Sequence, residues 1–116
     1  MKLKVVFHID GDNNELLTMA LNNMENLLKE VSPEETDIYL VANGTAVKLF
    51  QRKRASLYAS RIKKFFDSGV RFLLCNNSLK NMNIRSDELL KTCEIVTAGI
   101  LELIRLQTDG CAYIKP

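Results

Sequence analysis

The residues of this chain that could carry chemistry stand where apolar segments stop. Residues 70–75 are apolar apart from Arg71, the run ends on Cys75, and Asn76 and Asn77 follow it. A short apolar run that stops at turn residues predicts a strand buried on both faces of a parallel sheet. Ligands of such sheets gather beyond the carboxyl ends of the strands. The Cys75 sulfur is therefore the best candidate for a reactive atom, and Asn76 and Asn77 are candidate ligand-binding neighbours.

Cys75 has two interpretations. In the functional one, its thiolate acts as a nucleophile or a sulfur carrier, because a strand end, a following helix N-terminus and a nearby lysine lower a cysteine pKa. In the structural one, it is a small buried side chain, as free cysteines commonly are. Cys93 and Cys111 begin predicted strands at the opposite edge of the sheet, so we expect both to be structural.

Four more residues are predicted at the same edge as Cys75. His8, the only histidine, could be a general base or proton shuttle, or a hydrogen-bonded packing residue. Lys115 could attract an anionic ligand or a thiolate, or it could be solvated. Asn43 and Gly44 could form a turn whose amides face an anion, or a purely structural turn.

The apolar pattern supplies elements that would bring these residues together. Strands are predicted over residues 3–9, 37–42, 70–75, 93–96 and 111–116. Because helical segments separate them, the pattern predicts a parallel sheet that is covered on both faces. Its carboxyl ends would then form one edge that carries the candidate residues.

The helices are predicted from apolar residues at helical spacing. The first begins with Asp12 and Glu15 as a capping box and ends at Ser32. The second covers residues 55–67 and is expected to bury Leu57, Tyr58, Ile62, Phe65 and Phe66. Shorter helices are predicted at residues 46–50, 76–82 and 86–90, and a last helix from Thr97 to Asp109.

Composition excludes several classes of protein. The chain has 116 residues, 47% hydrophobic and 26% charged, with a net charge of +2, which predicts one globular domain over residues 1–116. A net charge this small does not indicate a nucleic-acid or a membrane partner. No apolar run approaches the roughly 20 residues that are needed to span a bilayer. Three cysteines without CxxC spacing argue against disulfides and a zinc site. We therefore expect no metal or cofactor, and a cytoplasmic location.

A basic cluster consists of six residues, Arg52, Lys53, Arg54, Arg61, Lys63 and Lys64. It could bind phosphate or RNA, but no aromatic stacking platform accompanies it. A solvated helical face is the simpler interpretation.

Four blocks of the sequence resemble the small single-domain branch of the DsrE/DsrF-like family. They are VANGTAV at residues 41–47, GVRFLLCNNSL at 69–79, AGILEL at 98–103 and QTDGCAYIKP at 107–116. The resemblance implies a three-layer α/β/α fold with a five-stranded parallel sheet, and assembly into homotrimers or hexamers. Relatives that are well studied carry sulfur as a persulfide on a cysteine, in sulfur oxidation or tRNA thiolation, and Cys75 lies where that cysteine is found. Asn76 and Asn77 match an uncharacterised branch instead.

Two functional hypotheses follow. In the first, the protein is a sulfur relay that takes sulfur from a donor protein onto Cys75 and yields it to an acceptor. In the second, it is a non-catalytic protein for small-ligand binding or oligomeric assembly, in which Asn43, Gly44 and Lys115 contact the ligand and Cys75 lines the pocket.

Overall fold

The computed structural model describes residues 2–116, which form a three-layer α/β/α structure. Its strands are β1 (Leu3–Ile9), β2 (Thr36–Ala42), β3 (Arg71–Cys75), β4 (Cys93–Val96) and β5 (Ala112–Ile114). Its α-helices are α1 (Asn14–Glu30), α2 (Ala59–Asp67), α3 (Asn76–Asn81) and α4 (Gly99–Thr108). Short 3-10 helices cover Pro33–Glu35, Gly44–Phe50, Ala55–Leu57 and Ser86–Glu88.

The five strands form one sheet in the order β4-β3-β2-β1-β5, and every neighbouring pair is parallel. The predicted fold class is confirmed. Three strands differ at their ends from the prediction, since β2 begins one residue earlier, β3 begins one residue later and β5 has only three residues. All five carboxyl ends meet at one edge, which brings the predicted site residues to the same side of the molecule.

The two faces of the sheet carry cores of different size. Residues Val5, Phe7 and Ile9 of β1 belong to the larger cluster, which α1, α2 and the 3-10 helix at Gly44–Phe50 cover. The intervening Val6 belongs to a smaller cluster under α4, together with Val41, Leu73, Leu103, Leu106 and Cys111. Because side chains alternate between the faces of a strand, His8 shares the α4 face with Val6.

The start of α1 differs from its prediction. Asn13, not Asp12, is the N-cap, because its Oδ1 accepts hydrogen bonds from the amides of Glu15 at 2.8 Å and Leu16 at 3.3 Å. The Asp12 carboxylate instead forms a two-bonded ion pair with Arg54, with distances of 2.7 and 3.0 Å. The N-cap was therefore predicted one residue too early, and the predicted capping box of Asp12 and Glu15 does not form, because the Asp12 amide donates to the Thr45 hydroxyl instead.

The segment predicted as one helix over residues 55–67 is divided. A 3-10 turn covers Ala55–Leu57, and α2 begins only at Ala59. Ile62 and Phe65 are buried as expected. The prediction was wrong for Leu57, which is 84% exposed, because it lies on the outer side of the 3-10 turn. It was also wrong for Phe66, since Phe65 occupies the core position and the next helical residue points about 100° away.

The basic cluster lies mostly at the surface. Arg54 pairs with Asp12, Arg61 donates to the Asn22 side chain, and Lys63 pairs with Asp67 one helical turn away. Nearby carboxylates thus neutralise part of the positive charge of the cluster. In residues 2–116, no helix is both long and apolar enough to cross a membrane.

Candidate functional site

Cys75 is the last residue of β3 and lies beside Val96 of β4 in the parallel register. Its side chain is directed to the α4 side of the sheet, where its Cβ lies 3.3 Å from the point that a Cβ on Gly99 would occupy. The residue is buried, with only 5% of its surface exposed. Little of this residue is therefore in contact with solvent.

The acidity of the Cys75 thiol reflects both its burial and nearby hydrogen-bond donors. Burial raises the pKa of this thiol, but hydrogen bonds from the Ser78 hydroxyl and from the amides of Gly99, Ser78 and Asn77 lower it, and the net pKa lies below the ordinary value. Donors stabilise the charged thiolate and offer nothing comparable to the neutral thiol. The arrangement favours the nucleophilic form of the sulfur.

Ser78 is the side-chain donor, and sequence reasoning did not identify it. Its Oγ accepts a hydrogen bond of 2.8 Å from the Gly44 amide, which leaves the hydroxyl proton for the sulfur. The available signal was its place in α3, three residues after Cys75, because such residues share one side of a helix. The partner of Ser78 could not be read from the sequence, since Gly44 is 34 residues away.

Gly44 therefore has a structural hydrogen bond. Its backbone has a φ of +58°, and a Cβ on it would lie 2.7 Å from the Asp10 carbonyl oxygen, so glycine is required on both counts. Its amide, which was predicted to face a ligand, is bonded to Ser78 instead. Gly44 supports the site by fixing Ser78.

Gly99 allows the first turn of α4 to approach the sulfur. A Cβ at this position would lie 3.0 Å from the Asn43 Cβ and 3.3 Å from the Cys75 Cβ, tighter than ordinary contact. Asn43 and Cys75 thus lie side by side beneath the start of α4. The sequence places Gly99 near this edge, but the absence of room for a side chain depends on how closely α4 packs on β2 and β3.

His8 links Asn43 to a residue that was not predicted. Its Nδ1 lies 2.6 Å from the Tyr113 hydroxyl, and its Nε2 lies 2.8 Å from Asn43 Oδ1. Both ring nitrogens are therefore occupied, and neither bonds to Cys75 within residues 2–116. The proton-shuttle interpretation of His8 would need one of these bonds to break, whereas the packing interpretation uses them as they stand.

The remaining candidates lie around this centre. Lys115 forms an ion pair of 2.9 Å with Asp10, and this hydrogen bond lowers the pKa of the Asp10 carboxyl. The Lys115 ammonium group is thus paired with a carboxylate rather than with the sulfur. Asn77 contributes its main-chain amide to Cys75, and Asn76 is half-buried at the start of α3.

The other two cysteines lie toward the amino ends of the strands and have the opposite acidity. Burial raises the pKa of Cys93 to about 12, and burial also raises the pKa of Cys111. A raised pKa leaves little thiolate at neutral pH. Among residues 2–116, no group of three or more His, Cys, Asp or Glu side chains could hold a metal ion.

The fold of this chain is similar to those of several proteins of known structure. A protein of unknown function from Methanobacterium thermoautotrophicum is 32% identical, with a TM-score of 0.90 over 99% of this chain and 100% of that one. The ychN protein of E. coli is 17% identical, with a TM-score of 0.80 over the full length of both chains. A conserved protein of unknown function from Bacteroides thetaiotaomicron is 18% identical, with a TM-score of 0.64 over 97% of this chain and 94% of that one.

The two more distant structures are similar in fold only. No curated protein matches the sequence. The family model of the DsrE/DsrF-like family matches residues 1–116, the whole of the sequence. This match, together with the parallel five-stranded sheet, establishes that the chain belongs to the DsrE/DsrF-like family.

Proposed function

We propose that the protein is a sulfur relay that carries a persulfide on Cys75. The observation that carries the proposal is the position of Cys75 at the end of β3, beside Asn43 and beneath the start of α4. Hydrogen bonds from Ser78 and from main-chain amides lower the pKa of the thiol there. Cys93 and Cys111 lack this environment and have raised pKa values. Membership of the DsrE/DsrF-like family supports the same chemistry at the same place in the fold.

The proposed transfer moves one sulfur atom without a net oxidant. The Cys75 thiolate attacks the outer sulfur of a donor persulfide, R–S–SH. A new S–S bond forms, the donor S–S bond breaks, and the donor leaves as a thiolate that takes up a proton from water. An acceptor thiolate then attacks the outer sulfur on Cys75, and the Cys75 thiolate leaves.

The donors around the sulfur serve both halves of this exchange. In the loading half, they increase the fraction of Cys75 that is thiolate. In the unloading half, Cys75 is the leaving group, and a thiolate of lower pKa leaves faster. The cost is a less nucleophilic sulfur, which is the ordinary compromise of thiol exchange near neutral pH.

The direct test is intact-mass measurement after incubation of the reduced protein with a small persulfide donor. We expect the wild type to gain one sulfur atom that a reductant removes. Cys75→Ser should gain none, and Cys111→Ser, a matched substitution of another buried cysteine, should load like the wild type. No gain by the wild type, or equal loading of Cys75→Ser, would contradict the proposal.

Small-ligand binding is a weaker candidate on this geometry. The Gly44 amide and the Lys115 ammonium group, two of its predicted contacts, are bonded to Ser78 and Asp10. An ordinary pKa for Cys75, together with ligand protection that survives Cys75→Ser, would favour it over the relay.

We also propose that the chain assembles into homo-oligomers, as trimers or hexamers. Two isoleucines of α4 support this, because Ile100 is 62% exposed and Ile104 is 55% exposed, and they lie four residues apart on one side of the helix. Leu101 beside them is 37% exposed. Adjacent exposed side chains of this size are typical of protein interfaces.

A further inference from the structure

A chain of hydrogen bonds runs from the protein surface to the residue beside Cys75. Tyr113 in β5 is 40% exposed, His8 in β1 is 9% exposed, and Asn43 directly follows β2. The two bonds that join them measure 2.6 and 2.8 Å. The three residues therefore come from β5, from β1 and from the end of β2, which are adjacent in the sheet in that order.

The chemistry of the partners fixes the proton on His8. Asn43 Oδ1 is a carbonyl oxygen and can only accept, so His8 Nε2 must donate to it. In a neutral imidazole the other nitrogen then has no proton, and Nδ1 accepts from the Tyr113 hydroxyl. The tautomer in which Nε2 donates to Asn43 is therefore the one in which the Tyr113 hydroxyl donates to Nδ1.

His8 in turn fixes the orientation of the Asn43 carboxamide. The main chain of Asn43 is held by a hydrogen bond of 3.2 Å from its amide to the Ile9 carbonyl. With Oδ1 bound to His8, the Nδ2 group is turned away from the imidazole. Within residues 2–116, Nδ2 has no hydrogen-bond partner, and it is not among the buried unsatisfied atoms, so it is open to a bound group.

We propose that Tyr113 and His8 are positioning residues that hold Asn43 with Nδ2 ready to donate a hydrogen bond to the outer sulfur of a persulfide on Cys75. The proposal rests on the sulfur-relay function above. It is carried by the Tyr113–His8–Asn43 bonds and by the contact of Asn43 and Cys75 with the same point above Gly99. The outer sulfur is anionic near neutral pH and accepts such a bond.

Nuclear magnetic resonance tests the positioning without any sulfur chemistry, because the chain has only one histidine. We expect the ¹⁵N signals of His8 in the wild type to show a protonated Nε2 and an accepting Nδ1. Tyr113→Phe should move mainly the Nδ1 signal, and Asn43→Ala mainly the Nε2 signal. Tyr58→Phe, which removes a hydroxyl that bonds to Thr18 on the other face, should move neither. A protonated Nδ1, or signals unmoved by the first two variants, would overturn the positioning chain.

Kinetics of sulfur release from loaded Cys75 test the donor role. We expect Asn43→Ala and His8→Leu each to slow transfer to a small thiol about fivefold, the effect of one hydrogen bond. His8→Gln should restore most of the rate, because its amide N–H can still donate to Asn43 Oδ1 although it cannot take up a proton. The pH profile should keep its shape in this variant.

The outcomes separate three cases. Slow transfer by His8→Gln with an altered pH profile would make His8 a proton-transfer group and overturn the positioning role. An unchanged rate for Asn43→Ala would overturn the donor role. Failure of the wild type to load sulfur at all would instead contradict the relay and its donor role together, while the His8 signals would still decide whether the positioning chain exists.

Discussion

At the scale of single residues, the acidity of Cys75 is set by groups from separate parts of the chain. Ser78 and Asn77 follow it in α3, whereas Gly99 belongs to α4, and Gly44, which orients Ser78, follows β2. Their bonds outweigh the effect of burial, which alone would keep the thiol neutral. The pKa of Cys75 is thereby lowered, whereas the pKa values of Cys93 and Cys111 are raised.

We predict that Ser78→Ala raises the pKa of Cys75 and slows its reaction with iodoacetamide near neutral pH. The reason is the loss of the Ser78 hydroxyl, which among residues 2–116 is the side-chain donor to the sulfur. The Gly44 amide also loses its acceptor, so the free energy of unfolding should fall by about 1–3 kcal/mol. Alkylation rates by mass spectrometry and denaturant unfolding measure the two effects, with the exposed Ser86→Ala as control. An unchanged alkylation rate would contradict the role of Ser78.

The same reaction has a predicted pH dependence. Only the thiolate is alkylated, so the rate rises with pH through the thiol pKa. Because the pKa of Cys75 is lowered and those of Cys93 and Cys111 are raised, Cys75 should react first as the pH rises from 6. Peptide mapping after limited alkylation measures the order. Faster labelling of Cys111 in the folded protein would show that the thiol environments are not as described.

The strand end that carries Cys75 and the edge that it shares with Asn43, His8 and Lys115 could be predicted from the sequence, but the contacts among these residues could not. Cys75 could be found because an apolar run and two asparagines mark the end of its strand. The partners of Ser78, Gly99 and Tyr113 could not, because they lie in segments that are up to 105 residues apart in the sequence. Lys115 was placed at the correct edge, and its partner Asp10 was missed for the same reason.

At the scale of elements, the position of α4 decides how close a main-chain amide comes to the sulfur. Gly99 is the first residue of α4. It lies so close to the ends of β2 and β3 that a side chain on it would have no room. Because a protein interior is densely packed, its neighbouring side chains cannot move far to make room for an added methyl group. Such a group therefore shifts the structure close to it.

Gly99→Ala should therefore lower the reactivity of Cys75. The added methyl would meet the Asn43 and Cys75 β-carbons at 3.0 and 3.3 Å, and the start of α4 must withdraw by a few tenths of an ångström, which lengthens the amide-to-sulfur bond. Alkylation kinetics report the change. Gly11→Ala is the matched control, since nothing lies within 4 Å of its added Cβ. Equal kinetics in the two variants would refute the close approach.

The N-terminus of α1 offers a second test, which compares the observed N-cap, Asn13, with the predicted one, Asp12. Asn13→Ala should lower the free energy of unfolding by about 1 kcal/mol, because two amides of the first turn lose their acceptor. Asp12→Ala removes a partly exposed ion pair with Arg54 and should cost less. Urea unfolding of both variants measures the difference. The reverse order would assign the cap to Asp12 after all.

At the scale of the whole molecule, the fold was predictable and the surface was not. Alternating strand and helix patterns are local properties of the sequence, and they led to the correct five-stranded parallel sheet. Which apolar residues remain outside depends on packing between helices. Leu57, Phe66, Ile100 and Ile104 all fit helical patterns, and all are more than one-third exposed.

The predicted assembly can be tested on that surface. Ile104→Glu should shift the protein from oligomer to monomer at micromolar concentration, because a charge would be buried in an apolar contact between copies. Multi-angle light scattering measures the mass. Leu57→Glu, at an 84% exposed position in the 3-10 turn before α2, is the control and should leave the mass unchanged. A monomeric wild type would contradict the assembly itself.

The short outer strands of the sheet have a consequence for how such copies could join. β5 has three residues and is soon followed by Pro116, which has no main-chain N–H, and β4 has four residues. Neither border offers enough free main-chain groups to template a long added strand. Growth by strand addition, the route to fibrils, is thus disfavoured at both borders. In the proposed assembly, copies of this protein would therefore meet through side chains, such as those on the exposed side of α4, rather than through a sheet continued from one copy to the next.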